Sequence, residues 1–358
     1  LRESIPGIFR GATPTRERQE DLMSELRDFI AGMPKCEMHV HLEGTLEPEM
    51  KFELAKRNGM SLPYKDVAEM RAAYDFYDLP SFLKIYYEGM RVLVHEPDFY
   101  DLTFAYLAKA HAQNVRYAEM FFDPQPHTGR GVPFDVVIRG IRRAQTDAER
   151  ILGIKSQLIM CFLRDWSAEF AMTTLVQALP YREWIVGVGL DSDEKNNPPV
   201  KFKDVFARAR REGFFLTMHC DVDQQNSTEH IRQVLEEIGV DRIDHGVNVL
   251  DSNKLIDEVA KRQLALTVCP VSNAFVTNGS KAKEIKRMLD LGIRATVHSD
   301  DPAYFRGYMN ENFECTQKEA ELGKKDLVQL TRNAFESTWL PRAAKNHYLA
   351  ELDAYAAQ

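Results

Sequence analysis

From Val115 onward the chain alternates between short apolar runs and longer stretches whose apolar residues recur every three or four positions. The short runs fall near 115–123, 157–164, 185–191, 214–219, 242–247, 264–269 and 293–298. They are continuous rather than alternating with polar residues, as strands covered on both faces are. Between them, 134–152, 167–178, 201–212, 228–238, 251–262 and 281–291 carry helical periodicity. A further short run over 37–43 opens the series, so the pattern predicts eight βα steps. Eight parallel strands, each followed by a helix, close a (β/α)8 barrel. A doubly wound open sheet is the alternative, but no GxGxxG follows the first strand.

The remainder extends this core. Residues 1–15 read as an irregular arm and 15–31 as a helix ended by Gly32 and Pro34. Residues 48–112 are helical throughout and too long for one crossover, which predicts a helical insertion after the first strand. Its aromatic stretch, Tyr74 to Tyr77 and then Phe82, is a candidate pocket wall, with plain helix packing as the competing reading. Residues 308–357 read as trailing helices. No repeat or linker divides the chain, so 1–358 is expected to form one domain, with 1–33 as its arm and first helix.

Composition sharpens the picture. The 358 residues are 44% hydrophobic and 28% charged, with a formal net charge of -8. That balance disfavours a nucleic-acid backbone as partner. No apolar run reaches the length of a membrane span. Cys36, Cys161, Cys220, Cys269 and Cys315 are widely spaced and form no CxxC pattern, which fits reduced thiols in the cytoplasm. The nucleus is the alternative compartment. The chain begins at Leu1 rather than Met, which leaves a removed leader open.

The chemistry gathers where the apolar runs stop. His39 and His41 stand two apart in a strand-like run, so their side chains share a face. Two converging imidazoles suit a divalent metal, although such a pair equally fits two satisfied polar residues. Asp123, Asp191, His219, His245 and Asp300 with Asp301 end other runs. In a barrel these ends meet on one rim, which carries the active site. Buried ionisable groups are costly unless paired or metal-bound. We therefore expect one divalent metal ion, such as Zn(2+), held by His39, His41, His219 and Asp300. A water on such an ion is acidified to a hydroxide nucleophile. His245 is placed to take its proton or hold it. His298 reads as a packed neighbour. His95, His111, His127, His230 and His347 read mostly as surface or capping residues.

Taken together, PKCEMHVHLEG, the fifth-strand His219, RIDHGV, CPVSN and HSDDPAYF resemble the adenosine/adenine deaminase family of the amidohydrolase superfamily. The resemblance runs from Pro34 to about Ala344. It implies a zinc-dependent barrel that hydrolyses the 6-amino group of a purine, with the same four ligands and with His245 orienting and deprotonating the water. It implies Asp301 as partner of purine N7. The stretches FFDPQPHTGRGVPF, GLDSDEKNNPP and SDDPAYF look closest to the adenine branch, in which Ser192 meets the N3 edge. Glu43 joins Asp301 and Ser192 as an expected substrate-binding residue. The small-molecule partner is then a purine, with neither nucleic acid nor membrane, and the oligomeric state stays open.

One departure stands out. The family follows the fifth-strand histidine with HAGE, whose glutamate protonates the purine ring. Here Val222 occupies that place in His219-Cys220-Asp221-Val222-Asp223. Addition at C6 still drives charge onto N1, so Asp221 and Asp223 are the candidate acids. Three functions remain: deamination of adenine to hypoxanthine and ammonia, hydrolysis of an N6-substituted adenine or of adenosine, and purine binding without catalysis. The complete ligand set argues against the last.

Overall fold

The computed structural model describes residues 16–220 and 222–358, with side chains from Ser24 onward. The arm expected over 1–15 and the candidate acid Asp221 lie outside the described residues. Eight strands appear in chain order: β1 Lys35–Glu37, β2 Val115–Phe122, β3 Lys155–Leu163, β4 Ile185–Asp191, β5 Phe215–Cys220, β6 Arg242–His245, β7 Ala265–Val268 and β8 Arg294–Val297. Each pairs in parallel with its sequence neighbours, in the order β1 to β8. An isolated parallel bridge, Val40 to Asp300, joins the first strand's continuation to the last. The architecture is the (β/α)8 barrel that the alternating pattern predicts.

The first strand departs from expectation. Regular pairing stops at Glu37, so His39 and His41 lie beyond β1. The cause is local. The Met38 amide donates to His298 Nδ1 at 3.1 Å, and the His39 amide donates to the Glu37 carboxylate at 3.0 Å. Both amides are thereby taken by side chains rather than by a neighbouring strand. Contact resumes further on, where the Phe121 amide donates to the Val40 carbonyl and the Leu42 amide to that of Phe121. The His41 amide donates to the Asp300 carbonyl, and the Asp300 amide donates to that of His39. The histidine pair is thereby stitched to the end of β8.

Two separate apolar cores follow from the strand geometry. Alternate side chains of a covered strand point to opposite faces. The outward set packs against the helices in one large cluster. The inward set is small: Phe121, Ile159 and Cys161, with Val186 and Trp339 against them. Trp339 closes the barrel floor, and this is why β4 carries glycine there. A Cβ on Gly187 would collide with the Trp339 ring and lie 2.9 Å from the Phe215 carbonyl.

Helix α1 is Arg16–Gly32. The insertion holds α2 Pro48–Arg57, α3 Val67–Ala72, α4 Leu79–Gly89 and α5 Glu96–Ala112, with no strand among the described residues. Helix α4 starts firmly: the Asp78 side chain accepts from the Ser81 amide at 2.9 Å, and a proline sits in the first turn. It buries Phe82 and Tyr86 toward the barrel rim. Among the described residues, no helix is long and apolar enough to cross a membrane. Cys36, Cys161, Cys220 and Cys269 are buried, and Cys315 is partly so.

Candidate metal centre

The strand ends bring the predicted side chains together. One ligand atom from each of His39, His41, His219 and Asp300 lies within 4.8 Å of the others, all buried. His39 Nε2 stands 3.3 Å from Asp300 Oδ1, and His41 Nε2 stands 3.4 Å from the same oxygen. His41 Nε2 and His219 Nε2 face each other at 3.1 Å. Donors placed 2.0–2.1 Å from a tetrahedral zinc ion stand about 3.3 Å apart. The observed spacings match that value.

The protonation states also suit a cation. Burial lowers the His39 pKa to about 4, against the opposing pull of Asp300, and lowers His41 to about 3. Burial together with the neighbouring imidazoles holds His219 well below its usual value. Three neutral imidazoles therefore present bare nitrogens near neutral pH. Burial works against ionisation of Asp300, but the surrounding His39, His245 and His41 outweigh it and hold the carboxyl well below the usual range. His39 Nε2 is buried with no hydrogen-bond partner. Three nitrogens and an anionic oxygen, converging with an orphaned lone pair, fit a divalent ion that takes N and O ligands.

The remaining rim residues divide into those that face the cavity and those that stand behind it. His245 lines the cavity, with Nε2 3.8 Å from Asp300 Oδ2. Asp301 and Ser192 line it too. Burial and the adjacent Asp300 charge push the Asp301 carboxyl well above its usual value, and its Oδ1 has no partner. Ser192 accepts a hydrogen bond from the Tyr87 hydroxyl at 2.8 Å. Ser192, His245 and Asp300 all adopt left-handed backbone, with φ of 73°, 57° and 62°. Such conformations cost about 1–3 kcal/mol each and persist where the surroundings impose them.

Two expected contacts are not brought into the cavity. Glu43 does not line it: its carboxyl accepts from the Asp123 amide at 3.2 Å and meets His127 Nε2 at 3.0 Å. The 3-10 turn that starts at Glu43 swings the side chain behind the wall. Asp223 also turns away. It pairs with Lys281 Nζ at 2.5 Å, and its backbone amide donates to Asn248. Its neighbours Val222 and Gln224 line the cavity instead.

The cavity roof comes from the insertion. Leu79, Phe82, Leu83, Tyr86 and Tyr87 of α4 close over the donor set, with Val276 and Phe305 opposite. Of the aromatic stretch named above, only Phe82 faces the cavity. Tyr74 stacks on Tyr304 at 4.9 Å, Phe76 packs on Phe82 at 5.3 Å, and Tyr77 is exposed. Arg130 ties the 121–134 loop to the insertion by donating to the carbonyls of Met90, Arg91 and Leu93. His127 and His230 are buried partners of Glu43 and Glu194 rather than surface residues.

Sequence reasoning did not single out a carboxyl cluster beside His41. Asp123 and Asp191 line the cavity and share a hydrogen bond, and Asp191 Oδ2 lies 3.5 Å from His41 Nδ1. Burial and mutual repulsion push both well above the usual carboxylate range. Burial raises Glu43 to about 7. Their position at strand ends was the available signal, but their grouping was not visible in it.

A parallel barrel whose C-terminal rim holds three imidazoles and a carboxylate at metal spacing, beneath a helical roof, defines a hydrolase of the amidohydrolase type. The adenosine deaminase family model matches residues 34–355, and the chain belongs to that family. It is 53% identical, over 93% of its length and 99% of the relative, to an uncharacterized deaminase of Schizosaccharomyces pombe. It is 49% identical to the adenine deaminase of Hahella chejuensis, covering 92% of this chain and 99% of the other. The crystal structure of adenine deaminase from Arthrobacter aurescens superposes with a TM-score of 0.88 at 39% identity, covering 91% of this chain and all of that one.

Proposed function

We propose that this protein hydrolyses the 6-amino group of adenine to give hypoxanthine and ammonia, with one zinc ion held by His39, His41, His219 and Asp300. The observation that carries the reading is the donor set at 3.1–3.4 Å, opening onto a roofed cavity with Asp301 Oδ1 unpartnered beside it. The relatives named adenine deaminase support the substrate. A divalent cation held there acidifies a water into the neutral range. His245 receives the proton as water adds at C6. Asp301, kept protonated by burial, donates a hydrogen bond to ring N7. Ser192 meets the N3 edge, and Tyr87 holds its hydroxyl in place. The adduct collapses when the amino nitrogen is protonated and leaves as ammonia.

The ring proton is assigned to Asp221. Asp223, the other candidate, is held by Lys281 outside the cavity wall. A second reading, hydrolysis of an N6-substituted adenine or of adenosine, draws on Val222. That side chain is apolar, buried and cavity-lining where the family carries its acid. The test is a panel of adenine, N6-methyladenine and adenosine, followed by ultraviolet spectra and amine release. Conversion of adenine to hypoxanthine with the highest kcat/KM is expected. Turnover of N6-methyladenine or of adenosine without turnover of adenine establishes the second reading, and no turnover of any purine by metal-loaded protein refutes both.

A further inference from the structure

Beneath the donor set lies a buried carboxylate that the proposed reaction does not use. Asp244, in β6, is fully buried. Its Oδ1 accepts from the Thr267 hydroxyl at 3.0 Å, and its Oδ2 accepts from the Thr217 hydroxyl at 2.6 Å. Thr267 Oγ1 is also 2.7 Å from His39 Nδ1. A hydroxyl has one proton to give. Since that of Thr267 goes to Asp244, the bond to His39 requires Nδ1 to carry the hydrogen. His39 Nε2 is then the bare nitrogen, and it is the one that faces Asp300. His219 Nδ1 lies 3.6 Å from Asp244 Oδ2, too far for a hydrogen bond, and His219 Nε2 faces the donor set. One carboxylate thus stands behind two of the three imidazoles. It is held from below, with Arg242 Nε at 3.7 Å and Arg242 in turn bound to Glu119 at 2.6 Å.

We propose that Asp244 is a positioning residue of the metal centre: through Thr267 it sets which ring nitrogen His39 presents to the ion. The inference rests on the reading of the site as a zinc centre. The physical reason is that neutral imidazole has two tautomers, and only the one with a bare Nε2 can donate toward the rim. Without an acceptor behind it, the His39 ring divides between tautomers and orientations, and part of the population cannot bind.

The decisive measurement is zinc affinity of the metal-free full chain, by competition with a chromophoric chelator. Asp244→Asn and Thr267→Val are compared with the parent, and thermal unfolding of each metal-free protein runs alongside. Thr267→Val is the cleaner variant, because it keeps the side-chain volume and leaves Arg242 its carboxylate neighbour. Both variants are expected to bind zinc about 10–100-fold more weakly. The metal-free Thr267→Val protein is expected to melt with the parent. Cobalt-loaded Thr267→Val is expected to show altered visible bands, which a remote packing defect does not produce. Zinc affinity of Thr267→Val within twofold of the parent overturns the proposal. So does a loss of affinity matched by a fall in stability of the metal-free protein, with the cobalt bands unchanged. A parent protein that binds no zinc overturns the metal-centre reading itself, and this proposal with it.

Discussion

Lys51 offers a sharp test of how the insertion is fastened to the barrel. Its side chain is buried on α2, and its Nζ donates to the Tyr74 hydroxyl at 2.5 Å and the Tyr304 hydroxyl at 2.8 Å, 4.0 Å above the Tyr304 ring. Tyr304 belongs to the segment that carries Asp301, so this contact joins the insertion to the end of β8. Burial lowers the Lys51 pKa from 10.5 to about 7. An unfolded lysine holds its proton up to about pH 10.4, so between about 7 and 10.4 the unfolded chain binds more protons than the folded one. Stability therefore rises with pH across that window and is lost as pH falls from the unfolded value toward the folded one. The whole gap corresponds to about 5 kcal/mol, of which about 2 kcal/mol falls between pH 7 and pH 9. Lys51→Met removes the titration while keeping the volume. Tyr74 and Tyr304 are both held above their usual value by burial, so they stay neutral in this range. Lys35, also lowered to about 7, is common to both proteins and cancels in the difference. Urea unfolding at pH 7, 8 and 9 should show the parent gaining about 2 kcal/mol on the variant. Parallel stability curves across that range refute the buried, weakly basic lysine.

Three further outcomes follow from the structure. Arg242→Met leaves Glu119 buried without its 2.6 Å partner and is expected to cost about 3–5 kcal/mol in thermal unfolding, with Glu119→Leu added to it restoring most of the loss. Gly44→Ala places a Cβ against the Asp301 carboxyl and 2.8 Å from its Cα, so kcat/KM for the purine is expected to fall about 10²-fold while the circular dichroism spectrum is unchanged. Asp223→Asn breaks only an ion pair at the cavity margin and should leave kcat within about fivefold, whereas Asp221→Asn should lower it by about 10²–10⁴; the reverse order in steady-state rates exchanges the two roles.

The eightfold rhythm of covered strands and amphipathic helices was legible in the sequence because a parallel barrel imposes it on every βα unit separately. The helix over 134–152 is one example: Val137, Ile138, Ile141, Ala144 and Ala148 are buried on one face, at the spacing that predicted it. The four converging donors were legible for a related reason, since each sits at the end of an apolar run and chain closure sends all such ends to one rim. Partner choice within that rim was not. His39 finds Thr267 across 228 residues, Arg242 finds Glu119 across 123, and Asp223 finds Lys281 across 58. No local pattern encodes which of several rim side chains turns inward. Backbone twist and closure settle it, as the left-handed turns at Ser192, His245 and Asp300 show. The early end of β1 has the same origin, because the acceptors that capture its amides belong to Glu37 and to His298 after β8, which closure brings beside β1. Composition and periodicity thus determined the architecture and the four converging donors, while tertiary closure alone decided their supports and which carboxylates face the cavity.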